Sequence, residues 1–267
     1  MVQAVRGHWP EYLMEAAGLG LFMISACGFG ALLGHPVSPA VHAIADPGAR
    51  RLLMGLAMGS TAAAIIYSPW GRRSGAHLNP STSLTFFRLG KVKGWDALFY
   101  VLAQFMGGLA GVLLMAALLG NVLRDPSVEY VVTVPGPAGA GAAFVAEVII
   151  SLLLMTVVLK ASNTPRLARY TGIFAGALVA ASITFEAPIS GMSMNPARTF
   201  ASALPAGTFS SLWVYFAAPP LGMLLAAEAY TRLGRKRAVA CAKLIHDPRL
   251  RYIFCGHTPN PSARRQP

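Results

Sequence analysis

Apolar residues dominate six stretches of this chain, at about 12 to 34, 51 to 70, 95 to 120, 142 to 161, 169 to 189 and 211 to 233. At about 20 residues each, they are long enough to cross a hydrocarbon core of about 30 Å as helices. Two shorter apolar segments follow the second and fifth stretches, and each opens on Asn-Pro: Asn79-Pro80 runs to about Leu89 before Gly90, and Asn195-Pro196 runs to Leu204 before Pro205. Asn is a strong N-cap and Pro is favoured at the first helical position, so each segment reads as a helix entered from a polar loop. At 1.5 Å per residue each is roughly 15 Å long, half of a bilayer. The pattern is therefore all-α, two halves of three spans and one half-helix. An odd number of crossings inverts the second half, and half-helices entering from opposite faces meet N-terminus to N-terminus near the midplane. The spans and half-helices occupy residues 1–233, with the first half at about 12–120 and the second at about 142–233. Residues 234–267 remain as a basic tail.

The segments leading into the two Asn-Pro pairs are partial twins. Ser74-Gly75-Ala76-His77-Leu78-Asn79-Pro80 matches Ser190-Gly191-Met192-Ser193-Met194-Asn195-Pro196 as Ser-Gly-x-x-x-Asn-Pro. Glu15 opens the first span as Glu147 opens the fourth, and Gln104-Phe105-Met106-Gly107-Gly108 in the third span has its counterpart in the stretch ending at Gly222 in the sixth. Non-helical backbone at membrane depth is tolerated only where it is buried in protein or lines a watery cavity. These segments should therefore line a pore, their free carbonyls acting as acceptors. Asn79 and Asn195 would donate at its centre, while the positive ends of two helix dipoles repel cations.

On these residues the chain resembles the aquaporin and glycerol-facilitator family, the major intrinsic proteins, whose paired Asn-Pro-Ala boxes correspond to Asn79-Pro80-Ser81 and Asn195-Pro196-Ala197. The second box continues to Arg198 and matches in full. The first has Ser81 in place of Ala. The resemblance covers about residues 12 to 233 and implies a passive channel for water or small uncharged solutes, embedded in the lipid bilayer as a homotetramer. It also implies that Arg198 forms the narrow outer filter, with Ile183 twelve residues before Asn195, Met192 three before it, and Met58 or Gly59 on the second span. Water-selective members have His where Ile183 stands, and glycerol-conducting members usually have Asp where Thr199 stands. An apolar ring with one cationic donor relaxes discrimination toward glycerol, ammonia, peroxide or neutral metalloid acids. Glu15 and Glu147 are expected to accept hydrogen bonds from the loop backbone in preference to relaying protons. His77 is expected to shape the inner vestibule.

Composition and charge fit a membrane protein and change one point. Of 267 residues, 55% are hydrophobic and only 12% charged, against about 25% charged in an ordinary soluble domain. A formal net charge of +12 raises nucleic acid as a partner, but its distribution answers this. With both termini on one side, that side carries Arg6, Arg72, Arg73, Arg88, Lys91, Lys93, Lys160, Arg166, Arg169 and the basic tail, whereas the other, with Arg198 set aside as part of the pore, has Arg50, Arg51 and Arg124. The bias predicts cytoplasmic termini beside anionic lipid in a cell membrane, and no nucleic acid. No removable signal peptide is read at the N-terminus. Three cysteines, one of them Cys27 inside a span, suggest no disulfide framework. Cys241, His246, Cys255 and His257 in the tail are weak zinc candidates, because their spacing fits no common zinc module. No cofactor is expected. Gly55 and Gly59, Gly107 and Gly111, and Gly172 and Gly176 read as helix-packing pairs. Two rival classes make distinct demands: an ion-coupled secondary transporter needs carboxylates that bind the driving ion near the midplane, and a membrane redox enzyme needs His ligands inside spans.

Overall fold

In the computed structural model, residues 1–233, 239–245 and 252–254 are described. Among them eight main helices carry the fold: α1 (Val2–Gly34), α2 (Pro47–Tyr67), α3 (Pro80–Arg88), α4 (Gly94–Leu119), α5 (Gly139–Ser162), α6 (Thr171–Phe185), α7 (Pro196–Ala206) and α8 (Leu212–Leu233). All but α3 and α7 are long and apolar enough, α6 with the turn before it, to cross a membrane. The two exceptions are the half-helices. Leu21, Leu56, Met106, Leu113, Ile149 and Leu221 are exposed, while Glu15, Gln104, Glu147, Ser151 and Thr85 are fully buried. A surface of large aliphatic side chains around a polar interior is the reverse of a soluble domain and suits lipid outside.

Helix ends follow local chemistry. Asp46 caps α2 by accepting from Gly48 and Ala49, and Pro47 begins the helix. Asn79 and Asn195 cap α3 and α7 in the same way, each followed by Pro at the first helical position. The fifth apolar run does not stay helical to residue 189. It breaks at Glu186 into a separate turn, Ala187–Ser190, ahead of the second loop. At the other end of the chain α1 begins ten residues before its apolar run. Hydropathy marks only the part that meets lipid. The polar start is anchored instead by Asp96 in the first turn of α4, which accepts from Tyr12 Oη at 2.6 Å and lies 2.7 Å from His8 Nδ1.

The two halves pack through glycine, and the contacts repeat with the symmetry of the fold. A Cβ on Gly107 of α4 would fall on the carbonyl of Ala16 in α1, and one on Gly222 of α8 would fall on the carbonyl of Val148 in α5. Ala16 and Val148 directly follow Glu15 and Glu147, so these contacts bring the buried acids close to the loops. Between the halves, Gly59 of α2 and Gly176 of α6 each lie on the other's carbonyl. Close approach of this kind supplies van der Waals contact that lipid cannot displace. Residues 239–245 and 252–254, set apart by sequence as a tail, are not separate from this body. Val239, Cys241, Ala242, Leu244, Ile245 and Tyr252 are buried in one apolar cluster with Ile66, Phe86, Val158, Leu159 and Met223.

Because the Gly107 seam admits no side chain, Gly107→Leu should destabilise the protein by about 3 kcal/mol or more, the upper range for overpacking. The neighbouring Met106→Leu, on the exposed face, should change stability by less than about 0.5 kcal/mol. Unfolding midpoints of the two variants in detergent compare these outcomes.

Candidate functional site

The non-helical segments before α3 and α7 have the same backbone. Ala76 and Leu78 in the first, and Met192 and Met194 in the second, take left-handed φ of 52 to 55°. Non-glycine residues held there cost on the order of 1–3 kcal/mol each, so something must hold them. Two buried carboxylates do so. Glu15 Oε1 accepts from Ser74 Oγ at 2.7 Å and the His77 amide at 3.1 Å, and its Oε2 accepts from the Leu78 amide at 2.6 Å and Gln104 Nε2 at 2.8 Å. Glu147 Oε1 accepts from Ser190 Oγ at 2.9 Å and the Ser193 amide at 2.6 Å, and its Oε2 accepts from the Met194 amide at 2.7 Å. Ser74 and Ser190 in turn accept from the amides of Ala76 and Met192. Tyr100 and Tyr215 donate to the Ser74 and Ser190 carbonyls at 2.7 and 2.5 Å.

At the tips the halves exchange hydrogen bonds. Asn79 Nδ2 donates to the Met194 carbonyl at 2.7 Å, and Asn195 Nδ2 donates to the Leu78 carbonyl at 2.8 Å. The amide oxygens cap their own helices, from Ser81 at 2.8 Å in one and from Ala197 and Arg198 at 3.0 and 3.2 Å in the other. An amide nitrogen has two protons, so each Asn keeps one beyond the crossed bond.

A cavity of about 460 Å³ runs past this junction. Asn79 and Asn195 line its middle. Met58, Ile183, Met192 and Arg198 line it toward the end formed by Arg50, Arg51 and Val131, here termed outer. Ala76, His77, Val158 and Leu244 line the other, inner end. Of the two residues considered on the second span, Met58 lines the cavity and Gly59 packs on α6. Pro80 and Pro196 begin the half-helices away from the cavity wall. Arg198 Nη1 is buried with no hydrogen-bond partner among the described residues, so an ion pair does not account for it. Thr199 closes a chain of hydroxyls: Thr133 Oγ1 donates to it at 2.8 Å, it lies 2.5 Å from Ser193 Oγ, and Ser193 Oγ donates to the Asn195 carbonyl. Thr199 thus ties the second half-helix to the loop that carries Thr133. Ser81 Oγ is buried without a hydrogen-bond partner among the described residues.

Sequence reasoning missed several members of this site. Tyr100 and Tyr215 sit in long apolar runs where nothing but their hydroxyls distinguishes them. Arg50 and Arg51 read as ordinary loop charges, yet both line the outer end, with Arg51 Nε fixed on the Thr184 carbonyl at 2.8 Å. Of the four tail zinc candidates, Cys241 alone lies among the described residues. Cys241 is disulfide-bonded, a bond that the three cysteines alone offered no framework to infer, and a disulfide sulfur is no thiolate ligand. His246, Cys255 and His257 lie outside the described residues. No group of three potential metal ligands occurs among the described residues. Cys27 is free and fully buried.

This fold and site define a multi-pass membrane protein built from two inverted three-span halves that meet through paired half-helices. A family model for the major intrinsic proteins matches residues 3–230. The chain is 32% identical over 241 residues to Aquaporin A of Dictyostelium discoideum, covering 88% of this chain and 81% of that protein. It is 36% identical over 185 residues to Aquaporin NIP6-1 of Arabidopsis thaliana and 35% identical over 162 residues to Aquaporin NIP1-2 of Oryza sativa subsp. japonica. These two matches cover 69% and 60% of this chain, and span only 59% and 54% of those relatives. The X-ray structure of the aquaglyceroporin from Plasmodium falciparum shares the fold, with a TM-score of 0.68 at 20% identity, over 85% of this chain and 97% of that one. The chain belongs to the major intrinsic protein family.

The Glu147 carboxylate is the acceptor for three buried donors. Glu147→Ala should therefore lower stability by about 3 kcal/mol or more, given about 1–3 kcal/mol for each donor left unsatisfied. Thermal unfolding of the detergent-solubilised variant measures it, and a loss under about 1 kcal/mol would show that the loop holds its shape without the acid.

Proposed function

We propose that this chain is a passive channel for water and small uncharged solutes, with the cavity between the halves as its conduction path. The observation that carries this reading is the crossed pair of Asn hydrogen bonds at the middle of that cavity. The remaining amide protons of Asn79 and Asn195 donate to a solute oxygen, and the N-terminal dipole ends of α3 and α7 disfavour a cation between them. Arg198, Ile183, Met192 and Met58 form the outer filter, three apolar walls and one cationic donor. A filter without a His donor does not restrict passage to water, and the solutes it suits are glycerol, ammonia, peroxide and neutral metalloid acids. Transport follows the solute gradient, and no covalent step is involved.

The excess of Lys and Arg on the side of both termini argues for cytoplasmic ends in a cell membrane. The family resemblance argues for a homotetramer, one pore per chain. An ion-coupled transporter is the second reading, and the hydrogen bonding of Glu15 and Glu147 speaks against it. Every oxygen of both carboxylates already accepts from a loop donor, so none is set aside for a driving ion.

Osmotic shrinkage of proteoliposomes tests the proposal. Flux should rise linearly with the solute gradient and ignore proton and sodium gradients; saturation, or dependence on either ion, would favour the transporter. Arg198→Ala should raise the permeability to larger solutes and cations relative to water by about tenfold, the size of one lost charged donor at about 1.5–3 kcal/mol. An unchanged ratio would remove Arg198 from the filter.

A further inference from the structure

We propose that residues 239–245 are a plug seated in the inner mouth of the cavity, which closes the path and must withdraw before solute can pass. The inference rests on the reading of the cavity as that path.

Six of the seven residues in this segment are buried. It is tied to both halves of the protein. His77 Nε2 lies 2.7 Å from the Ala242 carbonyl, and the Leu244 amide donates to the Gly75 carbonyl at 3.2 Å, both on the first re-entrant segment. On the opposite side the Ala240 amide donates to Asn163 Oδ1 at 2.7 Å, just beyond the end of α5. A carbonyl can only accept, so His77 carries its proton on Nε2 and accepts from Ser83 Oγ through Nδ1 at 3.0 Å. Both polar groups of the first segment that the tail engages belong to the non-helical backbone run leading to Asn79. Of these, the His77 ring lines the cavity, and the tail occupies its Nε2 proton.

Leu244 itself lines the cavity at its inner end. Around it the segment is packed as a core is packed. Lys243 is 2% exposed, with its Nζ 4.4 Å from the centre of the Tyr252 ring. Phe254 stacks against His77 and meets Tyr100 at a tilt. An apolar stopper that satisfies the backbone groups of the mouth excludes water as a hydrophobic constriction does. Its burial also explains a tail with Val239, Leu244, Ile245 and Tyr252 among so many basic residues, a composition that a solvated surface segment does not need.

Two measurements test the plug. In hydrogen exchange on the full chain, the amides of Ala240 and Leu244 should exchange far more slowly than in a free peptide of the same sequence; equal rates would overturn the proposal without any variant. In proteoliposomes, Leu244→Glu places a charge within the apolar cluster that buries Leu244. It should expel the plug and raise the shrinkage rate over the unmodified chain by at least about tenfold. Adding a peptide of residues 239–254 to that variant should slow it again. Equal rates for the two proteins, both conducting, would remove the plug and leave the channel. If neither protein conducts, the channel reading fails and the plug with it. Should Leu244→Glu not fold, the exchange experiment alone decides.

Discussion

A buried carboxylate beside each re-entrant segment is the interaction on which the rest of this structure depends. Backbone that is neither helix nor sheet has no water to bond with at the centre of a bilayer, and each orphaned group is costly. Glu15 and Glu147 gather the amides of His77 and Leu78, and of Ser193 and Met194, onto four oxygens. That gathering holds alternate residues in the left-handed region and frees the segments from helical pairing. Without it the half-helices would have no fixed starting point, and their Asn caps could not reach across to the opposite loop.

The position of each acid is set in turn by glycine. Gly107 and Gly222 let α4 and α8 lie directly on the carbonyls of Ala16 and Val148. Helix packing at a single residue thus fixes where a carboxylate stands, the carboxylate fixes a loop, and the loop fixes an Asn tip. The arrangement is repeated by the inverted halves, so that two independent copies of this chain of contacts converge on one junction. Polar groups at this depth are worth their desolvation only because nearly all are paired. On the cavity wall, Arg198 keeps a buried guanidinium nitrogen without a hydrogen-bond partner among the described residues.

The two ends of the cavity differ in kind. The outer end has Arg50, Arg51 and Arg198 among apolar walls, a positive potential that is unfavourable to cations. The inner end is closed by chain from beyond the last span, bonded to both halves at once. On the proposed reading, the outer ring governs what passes and the inner segment governs when.

The amino-acid sequence by itself determined the spans, the half-helices and their inverted pairing, because lipid demands long apolar runs and Asn-Pro announces a capped helix start regardless of context. It also marked Asn79, Asn195, Arg198, Glu15 and Glu147, since polar residues at membrane depth stand out against their neighbours. Only the tertiary structure decided that α1 continues through polar residues to Val2, as Asp96 anchors it from a distant helix. It alone distinguished Met58 from Gly59, a matter of helix rotation that one residue of register reverses. The roles of Tyr100, Tyr215 and the segment 239–245 were likewise invisible in the chain. Each depends on a partner far away in sequence, and a side chain's chemistry does not state which carbonyl it will meet.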